Sequence, residues 1–211
     1  MPHAFLFDLD GTLVDSLADL ATAVNLLRQE EGLDPLSLST VRLAIGDGAR
    51  ELIRRTLELD RCNDQRLQRF LALYEEHLLD QTRLYPGLER FLSRDALQPM
   101  AIVSNKPEAL CRQIVAGLGL TAFFPVIIGG DSAPEKKPSP LPVQTALQAL
   151  EVLAEDAILF GDHHTDLRAG AAAGVATCFC RWGFGHDDGL PSRWSCDTTE
   201  DLFRLFPGKA S

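Results

Sequence analysis

The chain predicts an α/β protein, a doubly wound parallel sheet interrupted near its start by an inserted helical domain. Short apolar runs bounded by turn residues recur at 4–7, 100–103, 126–128, 157–160 and 175–178, and helix-like segments separate the later ones. No convincing strand appears between Leu13 and Met100, a gap far longer than one crossover helix requires. Within the gap the apolar residues recur at helical spacing.

The first run ends where Gly11-Thr12 breaks it, which places Asp8 and Asp10 at the carboxyl end of a strand, where open α/β sheets bind ligands. Ser16-Leu17-Ala18-Asp19 has the form of a capping box, and Leu17, Leu20, Ala21, Val24 and Leu27 follow as a helical stripe until Gly32. Leu67, Phe70, Leu71, Tyr74 and Leu78 give a second stripe, with a shorter helix expected over 50–59. Tyr85-Pro86-Gly87 supplies the turn for re-entry, so the core is expected at 1–15 and 84–211 and the helical insertion at 16–83. The tail from Trp182 reads as a loop plus one short helix over 200–206.

The 211 residues carry 30 acidic and 20 basic side chains, a formal net charge of −10. That balance repels nucleic-acid polymers and anionic membranes while leaving room for a small anion met by a few focused cations. No apolar run approaches the roughly 20 residues that span a bilayer, and the start lacks a basic and an apolar signal region, so a cytoplasmic setting is expected. The five cysteines, Cys62, Cys111, Cys178, Cys180 and Cys196, are odd in number and scattered, which predicts reduced structural thiols. No heptad pattern marks an oligomer interface, and the oligomeric state is left open.

Polar residues follow several of the apolar runs: Asp8 and Asp10 the first, Ser104-Asn105-Lys106 the second, Gly161-Asp162 a later one. Strand ends on one edge share a crevice. Lys136-Lys137-Pro138 lies in a connection between later strands, where Pro138 can fix the backbone and a lysine can enter that crevice. Taken singly, an aspartate after a strand is more often a turn former, and Asp15 and Asp131 stay in that class. Lys106 and Lys136 are expected to be solvated. His163-His164 are expected to diverge, and His186-Asp187-Asp188 to form a solvated acidic loop.

The four pieces, in order, resemble the four motifs of the haloacid dehalogenase-like (HAD) hydrolases, and within them the phosphatases: Asp8-Leu9-Asp10-Gly11-Thr12-Leu13-Val14-Asp15-Ser16, Ser104, Lys137-Pro138, and Gly161-Asp162 with Asp166. The resemblance covers nearly the whole chain and implies a Rossmann-like core with a helical cap. It implies a Mg²⁺-dependent phosphatase in which Asp8 is both nucleophile and metal ligand. Asp10 would be the general acid and base, its backbone carbonyl also on the metal. Asp162 would bind the metal directly and Asp166 would orient its water shell. Ser104, the Asn105 amide and Lys137 would hold the phosphoryl oxygens, with Thr12 beside them. Physical chemistry explains the need for a cation, since a phosphate charge about 4 Å from a carboxylate costs roughly 4 kcal/mol at an effective dielectric of 20. Mg²⁺ suits a site of few carboxylates and phosphate oxygens. His163 departs from the small residue frequent at that position in the family.

Residues 41–52, with Gly46-Asp47-Gly48, and the stretch Trp182-Gly183-Phe184-Gly185 resemble the phosphoglycolate phosphatases. Gly46, Gly48 and Arg50 are therefore candidates for contacting a small phosphorylated metabolite. The alternatives are a sugar-phosphate mutase or a nucleotidase on the same fold and, from another class, a non-catalytic regulatory or binding module. A dehalogenase would not need Asp10, Asp162 and Asp166 together, and residues 16–83 contain no lysine for a phosphonate-hydrolysing Schiff base.

Overall fold

The computed structural model describes residues 4–57, 63–94 and 98–207. A six-stranded sheet is built from β1 (Ala4–Phe7), β4 (Met100–Val103), β5 (Val126–Ile128), β6 (Ala157–Gly161), β7 (Ala176–Cys180) and β8 (Trp194–Cys196). Every neighbouring pair is parallel, in the order β5-β4-β1-β6-β7-β8.

Register follows from what each face buries. Phe5 and Phe7 of β1, Met100 and Ile102 of β4, and Ile158 and Phe160 of β6 point into one core, where Phe7 stacks on Phe160 at 4.8 Å and Phe5 on Phe91 at 5.7 Å. Ala4 and Leu6, Ala101 and Val103, and Ala157 and Leu159 point into the other. A slip of one residue would exchange the two sets, so the pairing is strongly fixed. Helices α5 (Leu88–Arg94), α6 (Glu108–Gly117) and α9 (Asp201–Leu205) supply Phe91, Ile114 and Leu202 to the aromatic side; α7 (Leu141–Leu150) and α8 (His164–Ala172) supply Val143, Ala146 and Ala169 to the aliphatic side. Truncating Phe7 to Ala would cost about 3–5 kcal/mol, the range for a buried aromatic.

Between β1 and β4 the chain forms two short strands, β2 (Val14–Asp15) and β3 (Arg83–Leu84), paired antiparallel as Val14 with Leu84 and Asp15 with Arg83. Four helices lie between them: α1 (Leu17–Glu30), α2 (Leu38–Arg42), α3 (Ala49–Thr56) and α4 (Asp64–Glu76). Leu20, Val24 and Leu27 of α1 and Phe70 and Tyr74 of α4 are buried, as the two stripes require.

Some expectations need correcting. The gap does contain strands, but two residues each are too short to show a period. The tail contributes a sixth strand, β8, besides its helix. Ser16 makes no capping bond to α1. Its hydroxyl donates to Asp10, and Asp19 accepts from the backbone of Gln81 and Thr82 and from the Thr82 hydroxyl at 2.7–3.0 Å. Those partners lie far along the chain and outcompete the local cap. Cys111, Cys178, Cys180 and Cys196 are free and buried thiols; Cys62 and the last residues of the expected 50–59 helix fall outside the described residues. Among the described residues no helix is long and apolar enough to cross a membrane.

Candidate active site

The central strands β4, β1 and β6 each lead into a polar residue, and those after β1 and β4 continue the ladder. The Asp8 amide donates to the Phe160 carbonyl at 2.9 Å, and the Ser104 amide to Ile128 at 2.9 Å. Asp8 and Asp162 therefore stand side by side beyond adjacent strand ends. Between them the chain leaves β1 through Gly11, at φ +83°, where a Cβ would lie 2.2 Å from an Asp162 oxygen. Only glycine satisfies both the left-handed backbone and that approach.

Asp8, Asp162 and Asp166 are all buried, and one carboxylate oxygen of each lies within 4.8 Å of the others. Lys137, itself buried, donates to Asp8 at 2.8 Å, to Asp166 at 2.6 Å and to the Val103 carbonyl at 2.5 Å. Asp162 accepts from the Thr12 hydroxyl at 3.0 Å and from the amides of Phe184 and Gly185 at 3.0 and 2.8 Å. Asp166 also accepts from the His163 amide at 3.1 Å and so closes the start of α8.

One lysine does not balance three carboxylates. Burial, partly offset by Lys137 and reinforced by Asp166, pushes Asp8 up to about 6. Burial and then the charges of Asp8 and Asp166 hold Asp162 well above the carboxylate range. Lys137 is shifted up: burial opposes its charge, but Asp166 and Asp8 outweigh burial. The donor set is entirely oxygen, buried and short of positive charge, and it fits a hard divalent cation.

Asp10 stands outside that cluster. Its Oδ1 accepts from Lys106 at 2.7 Å and from Ser16 at 2.5 Å. Lys106 is buried rather than solvated: it donates to the Tyr74 hydroxyl at 2.6 Å and sits 4.6 Å from that ring's centroid. Burial disfavours its charge, but Asp10 and then Tyr74 hold its pKa above the ordinary value. Lys136 also departs from expectation, because it donates to the Asp47 carbonyl across the cavity mouth. Asp131 accepts from the Glu108 amide at 2.8 Å, at the start of α6, a structural role.

A cavity opens above these residues. Its core wall includes Asp8, Asp10, Ser104, Asn105, Lys106 and Asp162, and the facing wall includes Leu20, Ile45, Ala49, Leu52, Phe70 and Leu71. Gly46 and Gly48 line it too and seat the helical insertion on the core. A Cβ on Gly46, at φ +122°, would lie 2.4 Å from His163 Nε2. Asn105 donates from one amide nitrogen both to the Gly46 carbonyl, 3.1 Å, and to the Lys137 carbonyl, 3.0 Å.

Two of the residues singled out in the sequence are occupied elsewhere. Arg50 is not on the cavity lining; its guanidinium donates to Asp64 of α4 at 2.5 Å with half its side chain exposed. The Thr12 hydroxyl is bonded to Asp162. The Phe184 and Gly185 amides were not legible as functional groups, although the glycines of 182–185 signalled close backbone approach. His163 and His164 do not diverge: their ring centroids are 4.1 Å apart, and His186 lies 5.0 and 5.3 Å from them. Burial, then the neighbouring His164, pushes His163 down to about 4, and burial also lowers His164.

Comparison with known proteins agrees with this geometry. The haloacid dehalogenase-like hydrolase family profile matches residues 5–180. A phosphoglycolate phosphatase of Chromobacterium violaceum is 37% identical over 211 residues, covering 96% of this chain and 95% of that protein. One from Neisseria gonorrhoeae is 38% identical over 192 residues, covering 87% and 81%. A crystal structure of a predicted phosphoglycolate phosphatase from Haemophilus somnus superposes with a TM-score of 0.85 at 27% identity, covering 96% and 97%. A haloacid dehalogenase-like family hydrolase from Streptococcus pneumoniae shares the fold, with a TM-score of 0.81 at 22% identity, covering 97% and 98%. With its strand-end carboxylates, buried lysine and helical insertion, the chain belongs to the haloacid dehalogenase-like hydrolases.

Proposed function

We propose that the protein is a Mg²⁺-dependent phosphatase that hydrolyses a small phosphate monoester through an aspartyl-phosphate on Asp8, with 2-phosphoglycolate the first substrate to test. The observation that carries this reading is Asp8 in the carboxylate cluster while Asp10, two residues on, stands apart from it beside the same cavity. One carboxylate is placed to share a cation with the phosphoryl group and the other to move a proton. Relatives named phosphoglycolate phosphatase support the substrate class.

Asp8, Asp162 and the Asp10 carbonyl would hold the cation, which when bound screens the phosphate from the carboxylates and polarises its oxygens. Asp8 attacks phosphorus, and the leaving oxygen takes a proton from Asp10. Asp10 then draws a proton from the water that cleaves the acyl phosphate and restores Asp8. Lys106 and Ser16 both contact Oδ1 of Asp10, so its second oxygen is assigned the proton transfer. Asp166 is paired with the Lys137 ammonium, whereas Asp162 accepts only from neutral donors, and this supports Asp162 as the direct ligand and Asp166 as orienting the cation's water shell. Ser104, the Asn105 amide and Lys137 hold the transferring oxygens. Thr12 acts by positioning Asp162. Residues 16–83 are the cap, and its apolar wall with Gly46 and Gly48 judges the leaving group; Arg50 lies off the cavity lining.

The test is phosphate release from 2-phosphoglycolate, sugar phosphates and nucleoside monophosphates, with Mg²⁺ and with chelator, and Asp8→Asn as the blank. Mg²⁺-dependent release absent from the variant supports the reading. Silence with every substrate removes it, and turnover only with a phosphorylated activator points to a mutase.

A further inference from the structure

His163, His164 and His186 form a second group of metal-ligating side chains among the described residues, with one donor atom of each within 4.8 Å of the others. The proposed phosphoryl chemistry does not use it: His163 borders the cavity, while His164 and His186 are not on its lining. Two successive histidines converge because His163 is the extended cap residue of α8, φ −128° and ψ 152°, and His164 begins the helix. The backbone turns between them.

Each ring's remaining contacts suit a ligand. His163 Nδ1 lies 3.0 Å from the Thr165 hydroxyl and accepts from the Thr165 amide, so Nε2 is its outward nitrogen. His186 Nδ1 lies 2.8 Å from an Asp188 oxygen, the arrangement in which a carboxylate orients an imidazole whose other nitrogen binds metal. His164 Nδ1 is buried with no hydrogen-bond partner, an orphaned polar atom on one of the three clustered rings. Asp188 and Asp47 oxygens lie 3.8 and 4.0 Å from His164 Nε2. Asp47 belongs to the loop between Gly46 and Gly48, on the opposite side of the seam from the histidines.

We propose that His163, His164 and His186 bind a borderline divalent transition metal of the Zn²⁺ class, with Asp47 as the oxygen ligand that fastens the helical insertion to the core. Imidazole nitrogens select Zn²⁺, Co²⁺, Ni²⁺ or Cu²⁺ over Mg²⁺, whereas the all-oxygen cluster of Asp8, Asp162 and Asp166 has the opposite preference. Tetrahedral coordination at about 2.1 Å sets donors about 3.4 Å apart, so the rings need to close by on the order of 1 Å. The bound ion would hold the cavity mouth shut against Asp47 and slow turnover in a way that excess Mg²⁺ does not relieve.

The experiment titrates Co²⁺, read by its visible ligand-field absorption, into the full chain without a histidine tag in saturating Mg²⁺. The expected result is one equivalent of Co²⁺ with tetrahedral absorption, displaced by Zn²⁺ and retained in Asp8→Asn. His164→Ala and His186→Ala should each weaken binding at least tenfold while leaving Mg²⁺-dependent hydrolysis within about twofold, and Asp47→Asn should weaken it by a smaller factor. His186→Gln repeats the exposed position with a side chain of similar size, and circular dichroism confirms each fold. Unchanged Co²⁺ binding in the histidine variants, loss of the band in Asp8→Asn, or no Co²⁺ or Zn²⁺ binding in the wild type would each overturn the assignment. The binding readout needs no substrate, so it separates this site from failure of the phosphatase reading.

Discussion

The core wall of the cavity presents Asp8, Asp10, Lys106 and Asp162, each buried or half-buried and tied by charged hydrogen bonds to groups that the sheet fixes. The wall opposite presents Leu20, Ile45, Ala49, Leu52, Phe70 and Leu71, which touch by packing alone. Charge placed within hydrogen-bond distance tolerates no substitution, because an unpaired partner stays buried. An apolar wall accepts swaps that keep volume. On the proposed reading, reaction type belongs to the first wall and the choice of leaving group to the second, where many sequences would serve.

The largest effect should come from Asp8→Asn, a loss of turnover of at least about a thousandfold with the fold intact by circular dichroism. Near-normal turnover would remove the nucleophile and, with it, the division between the walls. Lys137→Ala leaves Asp8 and Asp166 without their shared partner, so kcat/KM should fall tens-fold to about a thousandfold. Kinetics unchanged there would move the phosphate contact to Lys106 or Lys136.

The contrast also has a pH signature. Asp8 titrates near 6 when folded against an ordinary value of 3.8, so between those values the folded chain holds the extra proton. Its destabilising effect is absent below about pH 4 and complete above about pH 6, a span worth about 2–3 kcal/mol. Asp162 acts in the same direction. Thermal unfolding of chelator-treated protein should therefore show a larger gain in Tm on adding Mg²⁺ at about pH 7.5 than at about pH 4.5. Equal gains would mean that the carboxylates are not the groups relieved.

Changes on the cap side should be smaller. Gly46→Ala demands a left-handed backbone from alanine and a Cβ within 2.4 Å of His163. It should raise KM several-fold and leave kcat closer to normal. Arg50→Ala should change kcat/KM by less than about twofold, since its partner Asp64 is exposed. A large drop would bring Arg50 back to the substrate.

What was legible in the sequence follows the same division. β1, β4 and β5 stand where the apolar runs place them because both faces of each are packed, and their end residues inherit that certainty. β2 and β3 escaped because two residues show no period, and β8 because Trp194-Ser195-Cys196 is not an apolar run. Lys106 was misread as solvated because its burial depends on Tyr74, which α4 brings from 32 positions away. Asp19 was misread as a cap because Gln81 and Thr82, which claim it, are 62 and 63 positions distant. The convergence of three imidazoles depends on a backbone turn and on a loop that folds back from His186.

The pairing of Val14 with Leu84 also bears on how the chain reaches its native state. The central sheet needs β1 beside β4, strands that are far apart in sequence with most of the helical residues between them. Once the short ribbon forms, the loop to be closed between those strands falls from roughly 90 residues to roughly 25. The lower closure entropy is worth about 1 kcal/mol in the search for the sheet's first long-range contact. Ribbon and helices can assemble as one local unit, and the large insertion then adds little to the effective contact order of the core.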